Sequence, residues 1–136
     1  MQPEYNLYDL QQYEAEFEHI CKQNTVSVIT FYSLASGFLT GKYRSDADLS
    51  KSARGGSVKK YLNGRGFRIV KALEEVAGRH NTTPASVAIA WLIARPGITA
   101  PIASATTVAQ LNETIAAVKL NLTGAEIDLL NTASAY

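Results

Sequence analysis

The segment 26–44 reads VSVITFYSLASGFLTGKYR, and it decides the fold predicted for this chain. Its first half, 26–31, is apolar and β-branched with almost no alternation, which predicts a strand buried on both faces of a parallel sheet. Its second half is rich in small, hydroxylated and glycine residues and includes the cation Lys42. Ligands of α/β folds bind beyond the carboxyl ends of strands, where small residues and an ammonium group suit phosphate, so the segment predicts a phosphate-binding loop.

The composition is that of a single globular domain with an uneven distribution of charge. The chain has 136 residues, is 46% hydrophobic and has a net charge of +1, which argues against a general nucleic-acid or membrane binder. Residues 42–71 nonetheless contain nine Lys or Arg and two acids, so they form either a solvated basic face or a site for an anion. The lone Cys21, and the lack of a signal peptide or a long apolar run, predict a soluble cytoplasmic protein.

Strand-like and helix-like segments alternate along the chain, which predicts right-handed parallel crossovers. Residues 44–65 lack periodicity and are predicted to be a long basic loop, either ordered or mobile. Strands are predicted at 2–7, 26–31 and 99–103, the last also buried, and helices at 13–22, 66–79, 84–94, from 107 and from 123.

Helix boundaries and apolar faces follow from local patterns. Thr83 is the predicted N-cap of a helix beginning at Pro84, and Thr107 and Thr123 each open a capping-box pattern. Trp91 is predicted to lie in the core. The other side chains predicted to face inward are Phe17, Ile20 and Cys21 in the first helix, Ile69, Val70, Leu73, Val76 and Ala77 in the second, and Leu111, Ile115, Ala116 and Val118 in the helix from 107.

Three parallel strands with helices on one side leave sheet edges and an apolar face uncovered. A closed barrel of eight βα units takes about 250 residues. The predicted fold is therefore α/β, a single incomplete domain over 1–136 that corresponds to part of such a barrel.

Three stretches carry a resemblance to a known family. They are QPEYNL at 2–7, ITFYSLASGFLTGKYR at 29–44 and PIASATTVAQLNE at 101–113. Together they resemble the last three βα units of the aldo-keto reductases, (β/α)8 TIM barrels that reduce aldehydes and ketones with NADPH. The resemblance implies that the strands at 2–7, 26–31 and 99–103 are the sixth, seventh and eighth of the barrel, followed by a C-terminal helix.

The resemblance also implies a binding site for NADP(H). Gln2 resembles the glutamine that bonds the nicotinamide carboxamide, and Phe31, with Tyr32 as the alternative, resembles the aromatic residue stacked on the nicotinamide ring. The other implied contacts are Leu34, Ala35, Gly37 and Lys42 at the pyrophosphate, Arg54 in a loop folded over the cofactor, and Thr106, Gln110 and Glu113 at the adenosine ribose and 2′-phosphate. Ser104, Thr106 and Thr114 depart from residues common in the family, so the preference for NADP(H) is inherited from the resemblance.

The family's catalytic Asp, Tyr, Lys and His belong to its first four strands, which this sequence lacks. His19 and His80 are interpreted as ordinary solvent-exposed histidines. Without a general acid for the carbonyl oxygen, the chain alone is predicted to be inactive, with a small carbonyl substrate bound only by the complete protein. Two alternatives remain: a non-catalytic nucleotide-binding or assembly module like the family's channel-associated members, or a ligand-free partial barrel that forms a homo-oligomer through its exposed sheet edges.

Overall fold

The computed structural model describes residues 1–51 and 55–136. A π-helix, Tyr13–Phe17, leads into α1, Glu18–Gln23, and is followed by β1, Val28–Thr30. The later elements are α2, Gly55–Val58; α3, Gly64–Arg79; α4, Pro84–Ala94; β2, Ile98–Pro101; α5, Val108–Ala116; and α6, Gly124–Ser134. Short 3-10 helices cover Ala35–Thr40, Asp46–Lys51, Lys59–Tyr61 and Ala117–Lys119.

β1 and β2 are parallel, as the crossover pattern predicts, with Val28 opposite Ile98 and Thr30 opposite Pro101. The N-terminal segment runs parallel along the other edge of β1. The Ile29 amide donates to the Met1 carbonyl at 2.9 Å and the Phe31 amide donates to the Pro3 carbonyl at 3.0 Å.

The strand predicted at 2–7 is reduced to a single bridge between Glu4 and Phe31. Pro3 has no N–H, so this segment lacks a donor in the middle of the ladder. The three-unit parallel order is present, but its first strand is shorter than predicted.

The expectations that 26–31 is buried on both faces and that 99–103 is a buried strand are wrong. Val28 and Thr30 are fully buried, whereas Ile29 between them is 41% exposed. Beyond β2, Ile102 is 43% exposed. Helices cover one face of the sheet, and the opposite face, which would line the interior of a closed barrel, is open in this chain.

α3 and α4 build the core and match their predicted faces. Asn63 caps α3 by accepting from the Gly66 amide, so α3 begins two residues before the predicted start. Thr83 caps α4 and Pro84 is its first residue, as predicted. Trp91 is 1% exposed, which confirms its place in the core, and all five predicted inward residues of α3 are buried.

The apolar stripe of the helix from 107 does not face inward. Leu111 is 48% exposed, Ile115 52% and Val118 72%, and α5 has no buried residue. The periodicity correctly predicts a helix with one apolar face. It does not show whether another element covers that face, and here the face is exposed. Ile20 of the first helix, at 47% exposed, is a second such error.

The two capping-box predictions have different outcomes. At α6 both halves of the box are present, with the Thr123 side chain accepting from the Glu126 amide and the Glu126 side chain accepting from the Thr123 amide. At α5 the Thr107 hydroxyl accepts from the Gln110 amide, but the side-chain oxygen of Gln110 accepts from the amide and hydroxyl of Thr106 rather than from the Thr107 amide.

The segment 44–65 is not an unstructured loop but holds several short helices. The carboxylate of Asp48 accepts from the Arg44 and Ser45 amides at the start. At the end, Val58 and Tyr61 are 0% and 1% exposed in the core. Across the described ranges, no helix is both long and apolar enough to cross a lipid bilayer.

Candidate cofactor-binding site

The carboxyl ends of the three parallel segments are joined by hydrogen bonds. The Ile102 amide donates to the Thr30 carbonyl at 2.8 Å, and the Ser33 hydroxyl donates to the Ile102 carbonyl at 2.7 Å. On the other side, the Asn6 side-chain amide donates to the Tyr32 carbonyl at 3.0 Å. The turns that follow the three segments therefore meet at one edge of the sheet, which is where parallel sheets bind ligands.

Phe31 and Tyr32 form an aromatic corner at this edge. Their ring centroids are 5.1 Å apart at an interplanar angle of 49°, and Tyr32 is 50% exposed. Tyr32 has a φ of +54°, a conformation that breaks the strand's alternation and brings the two consecutive rings to the same region. Both rings remain candidates for stacking on a planar ligand.

The predicted phosphate loop is a tight turn with an unusual backbone. Ala35 and Ser36 have φ of +49° and +57°, and Gly37 has φ of +94°. Strained non-glycine residues of this kind cluster at functional sites. The Thr40 hydroxyl donates to the Gly37 carbonyl at 2.7 Å and closes the turn.

Lys42 reaches back over this turn. A Cβ added at Gly37 would lie 3.4 Å from Lys42 Cε and 3.5 Å from Lys42 Nζ, so glycine leaves room for the lysine side chain to lie against the backbone. The same ammonium lies 5.1 Å from the centre of the Tyr43 ring. An exposed cation beside a glycine turn fits the chemistry of a pyrophosphate. Leu34 is partly buried and Ala35 fully buried, so these two residues anchor the turn to the hydrophobic core.

The N-terminus of α5 carries the residues expected at the adenosine end. Thr106 and Gln110 are exposed and bonded to each other, with the Gln110 side-chain oxygen 2.8 Å from the Thr106 amide and 3.0 Å from its hydroxyl. The Glu113 carbonyl accepts from the Ser86 hydroxyl at 2.7 Å, which fixes α5 on α4. Gln2 is exposed and lies two residues before Glu4, and Arg54 lies outside the described residues.

A polar cluster formed by Glu4, Asp9, Lys60 and Tyr61 was not predicted from the sequence. The Asp9 carboxylate accepts from the Tyr61 hydroxyl at 2.7 Å and from Lys60 Nζ at 3.3 Å, and Lys60 Nζ lies 3.6 Å from Glu4. Asn6 is fully buried, and its side-chain oxygen accepts from the amides of Tyr8 and Asp9. Asn followed by Asp three residues later, directly after a strand, is a turn signature that could have indicated this arrangement.

Burial and charge shift the pKa values of three groups in this polar cluster. Desolvation, together with the nearby Asp9 carboxylate, raises the pKa of Glu4. Desolvation and the hydrogen bond to Asp9 raise the pKa of the Tyr61 hydroxyl. For Lys60 desolvation acts downward, but Asp9 and Glu4 outweigh it and raise the pKa of the ammonium. The cluster therefore holds Lys60 protonated and ties 59–61 to 4–9.

His80 is not the ordinary solvent-exposed histidine that the sequence predicts. Its Nε2 lies 2.9 and 3.0 Å from the two carboxylate oxygens of Glu126, and its side chain is 25% exposed. This pair joins the end of α3 to the start of α6, away from the aromatic corner. His19 is exposed, as expected. No group of three or more His, Cys, Asp or Glu side chains suited to a metal ion occurs in the described part of the chain.

Comparison with known proteins gives one consistent family. The sequence model of the Aldo/keto reductase family matches residues 1–135. A probable voltage-gated potassium channel subunit beta from Arabidopsis thaliana is 34% identical over 122 residues, which cover 86% of this chain and 37% of the plant protein. The Schizosaccharomyces pombe aldo-keto reductase yakc, whose name specifies NADP(+), is 28% identical over 110 residues, covering 79% of this chain and 32% of its own.

The fold comparison agrees. The crystal structure of a thermostable aldo-keto reductase, Tm1743, in complex with the inhibitor epalrestat superposes with a TM-score of 0.69 at 23% identity. The match covers 97% of this chain and 38% of that one, so the fold is part of a TIM barrel. The chain spans less than two fifths of the length of these relatives. On the strength of the family match over nearly all its residues, this chain belongs to the aldo/keto reductase family.

Proposed function

We propose that this chain is the NADP(H)-binding C-terminal part of a cytoplasmic aldo-keto reductase that reduces small aldehydes or ketones. The observation that carries the proposal is the glycine turn at Gly37, with Lys42 lying against it, next to the aromatic corner of Phe31 and Tyr32. A planar ring system and a diphosphate are the two parts of a dinucleotide that such a pair of sites would hold.

Different residues would contact different parts of the cofactor. Phe31 or Tyr32 would stack on the nicotinamide and Gln2 would bond its carboxamide, while Leu34, Ala35, Gly37 and Lys42 would hold the pyrophosphate. Thr106, Gln110 and Glu113, at the start of α5, would meet the adenosine ribose and its 2′-phosphate, and Arg54 would cover the cofactor from the segment 44–65. NADPH supplies the hydride when bound, and the role of this chain is to orient the ring that carries it.

Reduction of a carbonyl also needs a group that protonates the oxygen. The acid–base residues implied by the family resemblance lie in strands that this sequence does not contain. We therefore expect the isolated chain to bind the cofactor without turning over a carbonyl substrate.

A fluorescence titration with NADPH tests binding directly. Saturable binding is expected, and Lys42→Ala should weaken it about tenfold, because one charge-assisted contact to a phosphate contributes roughly 1.4 kcal/mol or more. Lys119→Ala, which removes an equal charge beyond the C-terminal end of α5, is the matched control and should leave affinity unchanged. Absence of saturable binding by the folded chain would contradict the proposal. Turnover of an aromatic aldehyde by the isolated chain would contradict the expected inactivity.

A second candidate function, from a different class, is assembly. Within the described residues no strand pairs with the outer edge of β2, and the apolar stripe of Val108, Leu111 and Ile115 on α5, continued by Val118 in the 3-10 helix that follows, is exposed. A second copy of the chain could cover this edge. Its N-terminal segment pairs with β1 on one side only, and the apolar side chains of Ile20 and Met1 near that segment are 47% and 43% exposed. The likeness to a potassium channel subunit adds that the family includes proteins named for assembly.

Sedimentation velocity separates the two candidates. If self-association is the function, the chain forms dimers that the double substitution of Leu111 and Ile115 by Asp converts to monomers, whereas Asn112→Asp on the same helix leaves them intact. A monomer at all concentrations would exclude assembly through this face.

A further inference from the structure

Arg65, at the start of α3, lies between two aromatic rings from opposite ends of the chain. Its guanidinium carbon is 4.5 Å from the centre of the Tyr8 ring and 3.7 Å from the centre of the Tyr136 ring. Both distances fall within the range of cation–π contacts, which favour arginine. The guanidinium thus contacts both the turn that follows the N-terminal segment and the C-terminal residue.

The edges of the same guanidinium are hydrogen-bonded. Its Nη2 donates to the Tyr8 carbonyl at 3.0 Å and to the Ser134 carbonyl at 2.6 Å, and its Nε donates to the Ser134 carbonyl at 3.0 Å. The Tyr136 hydroxyl adds a donation to the Tyr8 carbonyl at 3.2 Å. Arg65 therefore joins residue 8 to the end of α6, a link between segments more than 120 residues apart.

Tyr8 belongs to the turn that holds the aromatic corner. The Tyr8 amide donates to the buried Asn6 side chain at 2.8 Å, and Asn6 in turn donates to the Tyr32 carbonyl at 3.0 Å. Since Tyr32 has a positive φ, its conformation depends on contacts of this kind to persist. The path from Arg65 to Tyr32 consists of Tyr8 and Asn6, each linked by a direct hydrogen bond.

We infer that Arg65 is a positioning residue for the aromatic corner: by clamping Tyr8 against the C-terminal residues, it fixes the turn 6–9 and, through Asn6, the backbone of Tyr32. Its effect on cofactor affinity rests on the proposed function, whereas its effect on the turn does not. The C-terminal end of the chain thereby becomes part of the support of the site.

Arg68, one turn further along α3, offers a matched control. It donates to the Ala133 carbonyl at 2.9 Å and the Ala135 carbonyl at 2.7 Å, so it secures the same end of α6. In the described part of the chain these two carbonyls are the side-chain partners of Arg68, and the contacts to Tyr8 belong to Arg65. A role confined to holding α6 would be shared by both arginines; a role in placing the turn belongs to Arg65 alone.

Amide hydrogen exchange tests the inference without any cofactor. Arg65→Met should accelerate exchange at the Tyr8 and Asp9 amides, both bonded to Asn6, about tenfold by local opening, while Arg68→Met leaves these two amides unchanged. Arg65→Lys keeps a cation near the rings but loses the planar fork, so it should restore protection only in part. Equal acceleration by Arg65→Met and Arg68→Met, or none in either, overturns the inference.

NADPH titration of the same variants supplies the second measurement. Arg65→Met should bind several-fold more weakly than Arg68→Met. If the unaltered chain binds no NADPH, the proposed function fails while the exchange result still decides the role of Arg65. If Arg65→Met does not fold, Tyr136→Leu removes one ring and one hydrogen bond at a 70% exposed position and should shift exchange at Tyr8 in the same direction. Unchanged exchange in that variant also overturns the inference.

Discussion

The Ser33 hydroxyl donates a 2.7 Å hydrogen bond to the Ile102 carbonyl, 69 residues away, and so joins the turn after β1 to the end of β2. Ser33 is 2% exposed, which leaves little access for water to replace the bond. Ser33→Ala should lower the free energy of unfolding by about 1 kcal/mol, because the Ile102 carbonyl loses its donor in a partly buried hydrogen bond. Urea unfolding followed by circular dichroism measures this, and an unchanged midpoint would show that the bond contributes nothing net.

A substitution at Thr30, three residues before Ser33, is expected to stabilise the fold instead. Its side chain is fully buried, and its hydroxyl has no hydrogen-bond partner among the described residues. Thr30→Val keeps the shape and β-branching while removing an unsatisfied polar atom, so it should raise the free energy of unfolding by about 1 kcal/mol. Thermal unfolding of the two variants side by side should move their midpoints in opposite directions; a destabilised Thr30→Val would point to a buried water on the hydroxyl.

Gly66 and Gly78 lie in the same helix but differ in their surroundings. A Cβ at Gly66 would fall 1.9 Å from the Tyr61 carbonyl oxygen and 2.9 Å from the Phe38 ring, whereas one at Gly78 meets nothing within 4 Å. Gly66→Ala should therefore destabilise the chain by about 3 kcal/mol or prevent folding, since backbone must move. Gly78→Ala should stabilise it by about 0.5–1 kcal/mol through helix propensity. Denaturant titrations of both check the contrast, which would fail if both alanines acted alike.

The Glu126–His80 pair gives a pH dependence. The hydrogen bond from His80, and then that from the Thr123 amide, lower the pKa of the Glu126 carboxyl below its ordinary value of 4.5. A folded-state pKa below the unfolded one contributes stability that is present above pH 4.5 and is lost as pH falls through the lowered pKa. Glu126→Gln, which still accepts from Thr123, should remove this contribution.

The measurement for this pair is unfolding free energy against pH. The difference between the unaltered chain and Glu126→Gln should be greatest near neutral pH, about 1 kcal/mol, and should shrink on acidification below pH 4.5. Glu75→Gln, in an exposed pair with Arg79, is the comparison and should change stability by less than about 0.5 kcal/mol. A difference for Glu126→Gln that does not vary with pH would contradict the assignment.

Local signals were the most reliable guide to the fold. Thr83 followed by Pro84, and Thr123 followed three residues later by Glu126, placed two helix starts correctly, because a cap is a contact between residues close in sequence. The buried face of α3 was also predictable, since it packs on α4 and α6, which this chain contains. The family followed from three motifs and is confirmed by the match over 1–135.

Burial on the sheet and on α5 was not predictable from the same periodicity. A pattern of apolar residues shows that a face is able to be buried, but whether something covers it depends on elements elsewhere in the fold. Ile29 and Leu111 are 41% and 48% exposed for this reason. At the candidate site, the positive φ of Tyr32 is a property of the turn and could not be read from residue types alone.

By itself, then, the sequence determined the order of βα units, the helix caps at Thr83 and Thr123, the family and the residues proposed to hold the cofactor, all of which depend on short stretches of neighbouring residues. Only the tertiary structure decided that Asn6 bonds to Tyr32, that Arg65 lies between Tyr8 and Tyr136, and that the stripe on α5 is exposed. These contacts join residues far apart in the chain, and they exist only once packing has fixed the relative positions of the strands and helices.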